Sequence, residues 1–190
     1  MMRTIVLVGF PGSGKSTVGK KLSLRLSLPF YDMDSYFSKK YHVSIPDFFS
    51  KYGEDFFRIC ENSVLKELLS FPPCVIATGG GTPCFFDSMA LINESALSLY
   101  IELSQKSLVD RLLHSKKTRP LVNGKTTEEL ITYVGETLAK REPFYRQAQV
   151  CVKGENLQMA ELLAVVYPFF ESSIKENYVA PPGIEPEFKV

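Results

Sequence analysis

Residues 9–17, GFPGSGKST, decide how this chain folds. The segment matches the pattern G-x-x-x-x-G-K-[ST], whose fixed positions are here Gly9, Gly14, Lys15 and Ser16. An apolar run, Thr4 to Val8, precedes the segment, and an amphipathic stretch, Lys15 to Leu26, follows it. The order strand, glycine loop, helix is the context that a phosphate-binding loop requires. The sequence therefore predicts an α/β fold that binds a nucleotide at this loop.

The chemistry of the loop follows from its residue types. Glycines let backbone N–H groups curve around phosphate oxygens, and the helix N-terminus adds a partial positive charge. The Lys15 ammonium reaches the β- and γ-phosphates, and the Ser16 hydroxyl can ligate Mg²⁺. A GTPase would also need Asp-x-x-Gly and Asn-Lys-x-Asp, which this sequence lacks, so small-molecule kinases and general ATPases remain. The predicted ATP-binding residues of the loop are Gly12, Ser13, Gly14, Lys15, Ser16 and Thr17.

Composition narrows the class of protein further. The 190 residues are 45% hydrophobic and carry a formal net charge of +1. We therefore expect one compact domain without a basic field for nucleic acid. No apolar run approaches the roughly 18 residues of a membrane span, and the four cysteines form no CxxC pair. We expect a monomeric cytoplasmic protein with reduced thiols and no membrane partner.

Short apolar runs alternate with longer amphipathic segments, which predicts a parallel sheet covered on both faces. The predicted strands are 4–8, 29–31, 74–77, 97–103 and 149–152. The predicted helices are 15–26, 35–41, 55–70, 87–93, 106–113, 127–140 and 157–170. We expect a single domain over residues 1–171, with an exposed, mobile loop at 114–125. The Pro-, Glu- and Lys-rich stretch 172–190 is expected to be a disordered tail.

A pair of aspartates, Asp32 and Asp34, follows the second predicted strand. In an extended segment, side chains two residues apart point to the same face. One carboxylate could then hold the magnesium shell while the other reaches an acceptor hydroxyl. Asp34 would also cap the helix that follows, and the pair alone does not separate these interpretations.

Two further features leave alternatives open. Glu54 and Glu61 flank Arg58 at helical spacing, so they could pair with it on a helix surface or hold its guanidinium for a ligand carboxylate. Gly79, Gly80 and Gly81 follow a predicted strand. They could form a turn that needs positive φ, or they could allow a ligand to approach the backbone closely.

These motifs, taken in order, resemble the shikimate kinase family. The phosphate loop is followed by D-x-D, by G-E-x-x-F-R-x-x-E at 53–61 and by the glycine triplet. Arg119-Pro120-Leu121 and the R-x-x-x-Y that begins at Arg141 complete the series. Each later motif is weak alone, but six in series are specific. The resemblance covers about residues 3 to 170.

The resemblance implies a P-loop kinase fold of the nucleoside-monophosphate-kinase type, with a five-stranded parallel sheet in the order 2-3-1-4-5. It implies ATP-dependent phosphorylation of the 3-hydroxyl of shikimate, in the pathway to chorismate and aromatic amino acids. Ser16 and Asp32 would serve Mg²⁺, and Asp34 would bind the reacting hydroxyl. Shikimate would be bound by Asp34, Arg58, Arg141 and Gly79 to Gly81. Arg119 would reach ATP from a lid, and Arg111 would lie against adenine.

Two departures accompany the resemblance. Pro11 stands where the family usually has methionine, which we place on the outer rim of the loop. The segment between Arg111 and Arg119 is one residue longer than in some relatives, which affects the assignment of Arg111. The alternatives are a gluconate- or nucleotide-type kinase of the same fold, and a non-catalytic ATP-binding module.

Overall fold

The computed structural model describes residues 4–115 and 126–169. Its strands form one five-stranded parallel sheet with the order β2-β3-β1-β4-β5, which confirms the predicted order. The strands are β1 (Ile5–Val8), β2 (Phe30–Asp32), β3 (Val75–Ala77), β4 (Leu97–Glu102) and β5 (Val150–Lys153). The α-helices are α1 (Lys15–Leu26), α2 (Met33–Tyr41), α3 (Ile45–Leu69), α4 (Ser88–Ser95), α5 (Gln105–Leu113), α6 (Thr127–Tyr145) and α7 (Met159–Val166).

Both faces of the central strand β1 are buried, because its side chains alternate between two apolar clusters. Ile5 and Leu7 pack with residues of α1 and α7. Val6 and Val8 face the other side, where α2 to α6 cover the sheet. Continuous apolar strands are expected of a parallel sheet covered by helices on both faces.

The carboxyl ends of three neighbouring strands lie side by side. Leu7 of β1 pairs with Ala77 of β3, and Ala77 pairs with Asp32 of β2. Thr78, directly after β3, adds two bonds to β1: its amide and its hydroxyl both donate to the Leu7 carbonyl, each at 3.1 Å. This edge of the sheet therefore brings together the phosphate loop, the aspartate pair and the glycine triplet, as ligand sites in open α/β sheets require.

The third helix begins ten residues earlier than the sequence predicted. Ser44 caps it by accepting a hydrogen bond from the Asp47 amide, and Pro46 lies in its first turn. At Gly53 the backbone leaves the helix (φ 79°, ψ 172°) and then resumes. The cap and the early proline are helix-start signals that the sequence prediction passed over, since the glycine interrupts the periodicity.

Two other helices end at different places from those predicted. Helix α6 continues from the predicted end at Lys140 to Tyr145 although Pro143 lies inside it, so Arg141 lies within the helix. Helix α7 is shorter than predicted and is followed by a 3₁₀ turn, Tyr167–Phe169.

Residues 116–125, which hold most of the predicted lid loop and Arg119, lie outside the described residues, as does the predicted tail 172–190. Among residues 4–115 and 126–169, no helix combines the length and the apolar character that a membrane crossing needs.

We expect Gly53→Ala to lower the free energy of unfolding by roughly 1–3 kcal/mol. The backbone at Gly53 lies in a region that only glycine adopts without strain. A Cβ there would meet no atom within 4 Å, so the cost would come from the backbone alone. Urea unfolding measures the effect. Ser50→Ala, at an exposed helical position, is the control and should change stability by less than about 0.5 kcal/mol. Equal stability of the two variants would contradict the expectation.

Candidate functional site

The phosphate loop has the backbone that its glycines predict. Gly9, Gly12 and Gly14 have φ values of 142°, 92° and 99°. A Cβ at Gly9 would lie 2.9 Å from the carbonyl oxygen of Ile101 in β4, so the loop also needs this glycine for its close packing. Helix α1 begins at Lys15 without a side-chain cap. Its first amides and its dipole therefore point into the loop, which is the arrangement that binds anions.

Lys15 lies folded over the loop. Its ammonium donates to the carbonyls of Gly9 (2.7 Å) and Phe10 (2.9 Å), and the side chain is buried. The nearby Ser13 hydroxyl is also buried and has no hydrogen-bond partner within the described part of the chain. A cradle with an unsatisfied buried donor fits a ligand rich in acceptor oxygens, such as a polyphosphate.

Asp32 connects the second strand to the phosphate loop. Its Oδ2 accepts a hydrogen bond from the Ser16 hydroxyl at 2.5 Å, and its Oδ1 accepts one from the Ser35 amide at 3.1 Å. Asp32 is thus the N-cap of α2. The alternative that made Asp34 the cap is wrong. The cap bond fixes the orientation of the carboxylate that faces Ser16.

Asp34 lies in the first turn of α2. The prediction that both carboxylates point to the same face of an extended segment is therefore wrong, because α2 begins at Met33, between the two aspartates. Asp34 instead lies at the glycine triplet: a Cβ at Gly79 would be 2.9 Å from its Oδ1. The two aspartates face different parts of one site, the phosphate loop and the glycine turn.

The glycine triplet is needed for close approach by side chains of this chain. None of the three glycines has a positive φ, so the interpretation as a positive-φ turn is wrong. A Cβ at Gly80 would lie 2.5 Å from two carbons of the Pro11 ring, and one at Gly81 would lie 2.9 Å from both Nη atoms of Arg58. Pro11 therefore packs on the triplet and does not lie on an outer rim as predicted.

Arg58 is a buried cation held by two carboxylates. Its Nη1 donates to Glu61 at 2.7 Å, and its Nη2 donates to Glu54 at 2.9 Å. The other oxygen of Glu61 accepts from the Thr82 hydroxyl at 2.7 Å. Only 9% of Arg58 is exposed, so the interpretation of a solvated pair on a helix surface does not hold.

Aromatic rings and the triplet confine the guanidinium further. Its Cζ lies 4.3 Å from the ring centroid of Phe85 and 5.1 Å from that of Phe57. Nε also donates to Glu54, at 3.2 Å. Three of the five N–H donors are thus used by the two glutamates. Among contacts to described residues, one N–H on each Nη is left, which is the number that a bidentate carboxylate needs.

Arg141 of α6 lies near the same region. Burial raises the pKa of the Cys84 thiol, and the charges of Arg141 and then Arg58 oppose that rise. Both arginines therefore lie close to Cys84, which belongs to the 3₁₀ turn Thr82–Cys84 directly after the triplet. The structure brings together two cations that are 83 positions apart in the sequence.

Arg111 of α5 lies at the phosphate loop. Its Nη1 donates to the Ser13 carbonyl at 3.0 Å, and its Nη2 donates to the Gly154 carbonyl at 3.2 Å. The guanidinium thus joins the phosphate loop to the segment after β5. This position agrees with the predicted neighbourhood of the nucleotide, while contact with adenine stays a prediction.

Sequence reasoning assigned no role to three residues that shape the site: Pro11, Thr82 and Tyr145. Tyr145 is fully buried, and its hydroxyl donates to the Gly80 carbonyl at 2.6 Å. Tyr145 belonged to a motif that was recognised, so a signal existed for it. Thr82 had none, because its hydroxyl meets Glu61 only through the fold.

Comparison with known proteins identifies the family. The shikimate kinase family model matches residues 11–169, which is most of the chain. The chain belongs to the shikimate kinase family. The shikimate kinase of Parabacteroides distasonis is 40% identical over 156 residues, which cover 82% of this chain and 90% of that relative. The shikimate kinase of Caulobacter vibrioides is 40% identical over 165 residues, covering 86% of this chain and 80% of that relative.

Solved structures of shikimate kinases share the fold of this family member. The enzyme from Bacteroides thetaiotaomicron is 35% identical and superposes with a TM-score of 0.82, covering 89% of this chain and 97% of the other. The enzyme from Acinetobacter baumannii, solved in complex with shikimate, is 29% identical with a TM-score of 0.77 and covers 90% and 97%. The predicted family and P-loop kinase fold are confirmed.

We expect Gly80→Ala to destabilise this shikimate kinase family member by roughly 1–3 kcal/mol, the usual cost of overpacking. The new Cβ would clash with the Pro11 ring. In a Pro11→Ala background the same substitution should cost distinctly less, because the ring carbons are gone. Urea unfolding of the wild type, the two single variants and the double variant gives the coupling energy between positions 11 and 80. Strictly additive effects would show that the two residues do not touch.

Proposed function

We propose that this family member transfers the γ-phosphoryl group of ATP to the 3-hydroxyl of shikimate, giving shikimate 3-phosphate on the route to chorismate and aromatic amino acids. One observation carries the assignment. Next to a phosphate loop, a carboxylate, Asp34, lies at a glycine turn that also contacts a buried arginine. A hydroxylated ring with a carboxylate matches this set of groups. A phosphate loop alone would not select such an acceptor.

The nucleotide phosphates bind at the loop in this proposal. Backbone amides between Gly12 and Thr17 and the start of α1 face the phosphate oxygens. The Lys15 ammonium, which already lies over the loop, stabilises the charge on the transferring phosphoryl group. Arg111 borders the loop on the side of Gly154. The predicted contribution of Arg119 from the lid stays an expectation.

The residues around Ser16 fit a magnesium ion. A serine hydroxyl and a carboxylate are hard oxygen ligands, and Mg²⁺ in kinases is held by one or two carboxylates together with substrate phosphates. Ser16 and Asp32 would serve the ion, Asp32 in the orientation that its bond to the Ser35 amide fixes. When bound, Mg²⁺ neutralises developing charge on the phosphate oxygens.

Asp34 binds the acceptor hydroxyl and accepts its proton. Phosphoryl transfer requires mainly that the attacking oxygen is positioned and that its proton has a destination. The helix begins between Asp32 and Asp34 and so points the two carboxylates differently, which lets one face the phosphates while the other faces the glycine turn. Each aspartate then has a single role.

The substrate carboxylate is bound by Arg58 and Arg141. Arg58 forms a buried ion pair with Glu61 and also pairs with Glu54, so its cluster carries no excess positive charge. An added carboxylate therefore needs a second cation, and Arg141 supplies it. Arg58 contributes directed N–H donors, while Arg141 contributes the net charge that attracts the acid.

Purified protein with ATP, Mg²⁺ and shikimate tests the function, with the product identified by ³¹P NMR. Gluconate and nucleoside monophosphates, offered in parallel, test the alternative kinases. Phosphorylation of one of these but not of shikimate would reassign the substrate. No turnover with any acceptor would favour the non-catalytic module. The expected monomeric state and cytoplasmic location stay predictions.

We expect Lys15→Ala to lower kcat by a factor on the order of 10²–10³, the usual cost of losing one donor to developing charge. The fold should persist, because α1 keeps its apolar face. Lys20→Ala, at an exposed position of the same helix, is the matched control and should leave kcat unchanged. A folded Lys15→Ala protein with near-normal kcat would rule out this role.

We expect Arg141→Ala to raise the KM for shikimate by about 10- to 150-fold with little change in the KM for ATP. Charge-assisted hydrogen bonds are worth roughly 1.5–3 kcal/mol, and every 1.4 kcal/mol is about tenfold. Lysine should rescue only partly, since a point charge lacks the planar fork. Arg146→Ala, at an exposed position just after α6, is the control.

Arg58→Ala should raise the same KM but should also lower the melting temperature, because the Glu61 carboxylate would stay buried without its cation. Thermal unfolding separates the two effects. The double variant should be less impaired than the product of the single effects predicts, since both arginines contact one group. An unchanged KM for shikimate in both single variants would contradict the carboxylate site.

A further inference from the structure

The last turn of α6 carries a tyrosine that touches the glycine triplet. Tyr145 is four positions after Arg141, so the two side chains lie on the same face of the helix. Its hydroxyl donates to the Gly80 carbonyl at 2.6 Å, and no part of the residue is exposed. The ring packs against Tyr100 of β4 with centroids 5.3 Å apart. The hydroxyl is therefore held in place by burial and by its ring contact.

The same hydroxyl lies near Arg141. Burial raises the pKa of Tyr145 strongly, and the positive charge of Arg141 opposes that rise. Because the Tyr145 proton goes to Gly80 and a guanidinium can only donate, the tyrosine oxygen is left as an acceptor for Arg141. One hydroxyl thus lies between a cation of the proposed carboxylate site and the backbone of the glycine turn.

The bond to Gly80 fixes more than one atom. A peptide unit is planar and trans, so its N–H points opposite to its C=O. Fixing the Gly80 carbonyl therefore fixes the direction of the Gly81 N–H, which points away from Tyr145. On the Cα side, the Pro11 ring occupies the place where a Cβ of residue 80 would lie, so it packs against the Gly80 backbone. The glycine turn is consequently held between the phosphate loop and α6.

We propose that Tyr145 is a positioning residue for carboxylate recognition: its hydroxyl, bonded to the Gly80 carbonyl and one helical turn from Arg141, offers its oxygen to the arginine and so keeps Arg141 and the glycine turn in a fixed relative position. The inference rests on the proposed function, since it concerns the acid group of that substrate. Tyr145 itself acts through Arg141 and the turn. It therefore affects the binding of shikimate and not the transfer of the phosphoryl group.

Tyr145→Phe tests the inference because it removes the hydroxyl and keeps the ring. We expect the KM for shikimate to rise about two- to twelvefold, the effect of a hydrogen bond worth roughly 0.5–1.5 kcal/mol. The kcat and the KM for ATP should stay near those of the wild type. Tyr100→Phe removes a hydroxyl from the ring that packs against Tyr145 and serves as the matched control, with an unchanged KM for shikimate.

A second readout separates positioning from general loosening of the fold. The methyl ester of shikimate lacks the negative charge, so the wild-type protein should prefer the acid. Tyr145→Phe should lose part of that preference, and the loss should be absent in an Arg141→Ala background, where the linked cation is already gone. If Tyr145 only stabilised the fold, Tyr145→Phe would raise the KM for shikimate and the KM for its methyl ester by the same factor, whether or not Arg141 is present.

The outcomes are distinguishable. If the wild-type protein does not phosphorylate shikimate, the proposed function fails. If it does, but Tyr145→Phe keeps its KM and its preference for the acid, the inference about Tyr145 is overturned. Should the variant not fold, the ¹³Cζ signal of Tyr145 in the wild-type protein decides. The signal should shift when shikimate binds and stay in place in Arg141→Ala, and an unmoved wild-type signal would overturn the inference.

Discussion

The site depends on the absence of side chains at Gly79, Gly80 and Gly81. Three other segments of the chain touch this turn at distances that no Cβ would permit: the first turn of α2, the phosphate loop and α3. A single methyl group at any of the three positions would displace one of them. The triplet therefore sets the distances between the phosphate loop, the acidic residue of α2 and the arginine of α3. Its own conformation needs no glycine, since none of the three has a positive φ.

Around this turn, a buried cation adds rigidity at an energetic cost. Burying Arg58 and Glu61 removes two charges from water, which costs several kcal/mol per ion before their attraction is counted. A pair of apolar residues would stabilise the fold at least as well. What the ion pair provides is a guanidinium whose direction is fixed by Glu54, Glu61 and aromatic rings before any ligand arrives. The Arg58 side chain therefore does not have to become ordered when the ligand binds, and the entropy cost of binding is lower.

The parts of the fold that rest on local pattern were predictable from the sequence. The phosphate loop, the five strands and the order of the sheet follow from the glycine spacing, the apolar runs and the family resemblance. The interruption of α3 at Gly53 was missed because a glycine ends helical periodicity whether the helix stops or merely bends. The relative orientation of Asp32 and Asp34 was predicted wrongly because a helix that begins between two residues leaves little trace in their spacing.

Contacts between distant segments were the least predictable. Nothing in the sequence places Pro11 against Gly80, which are 69 positions apart, because that contact exists only after β1 and β3 have paired in register. The same holds for the hydroxyl of Thr82 on Glu61. In each case the residue type is compatible with an ordinary loop, and only the tertiary position gives it a function.

The distribution of charge explains how a nearly neutral protein can bind two anionic substrates. Among the described residues, the site holds four cations, Lys15, Arg58, Arg111 and Arg141, and four carboxylates, Asp32, Asp34, Glu54 and Glu61. Formal charges therefore cancel, and attraction at long range is weak. Binding must come from short-range donors with fixed directions: the amides at the start of α1, the two N–H groups of Arg58 that no described residue accepts, and the backbone of the glycine turn. Such donors favour ligands of one shape over anions in general, because a misplaced oxygen finds no partner. The carboxylates that cancel the charge also fix the cations, so selectivity and rigidity have the same physical origin.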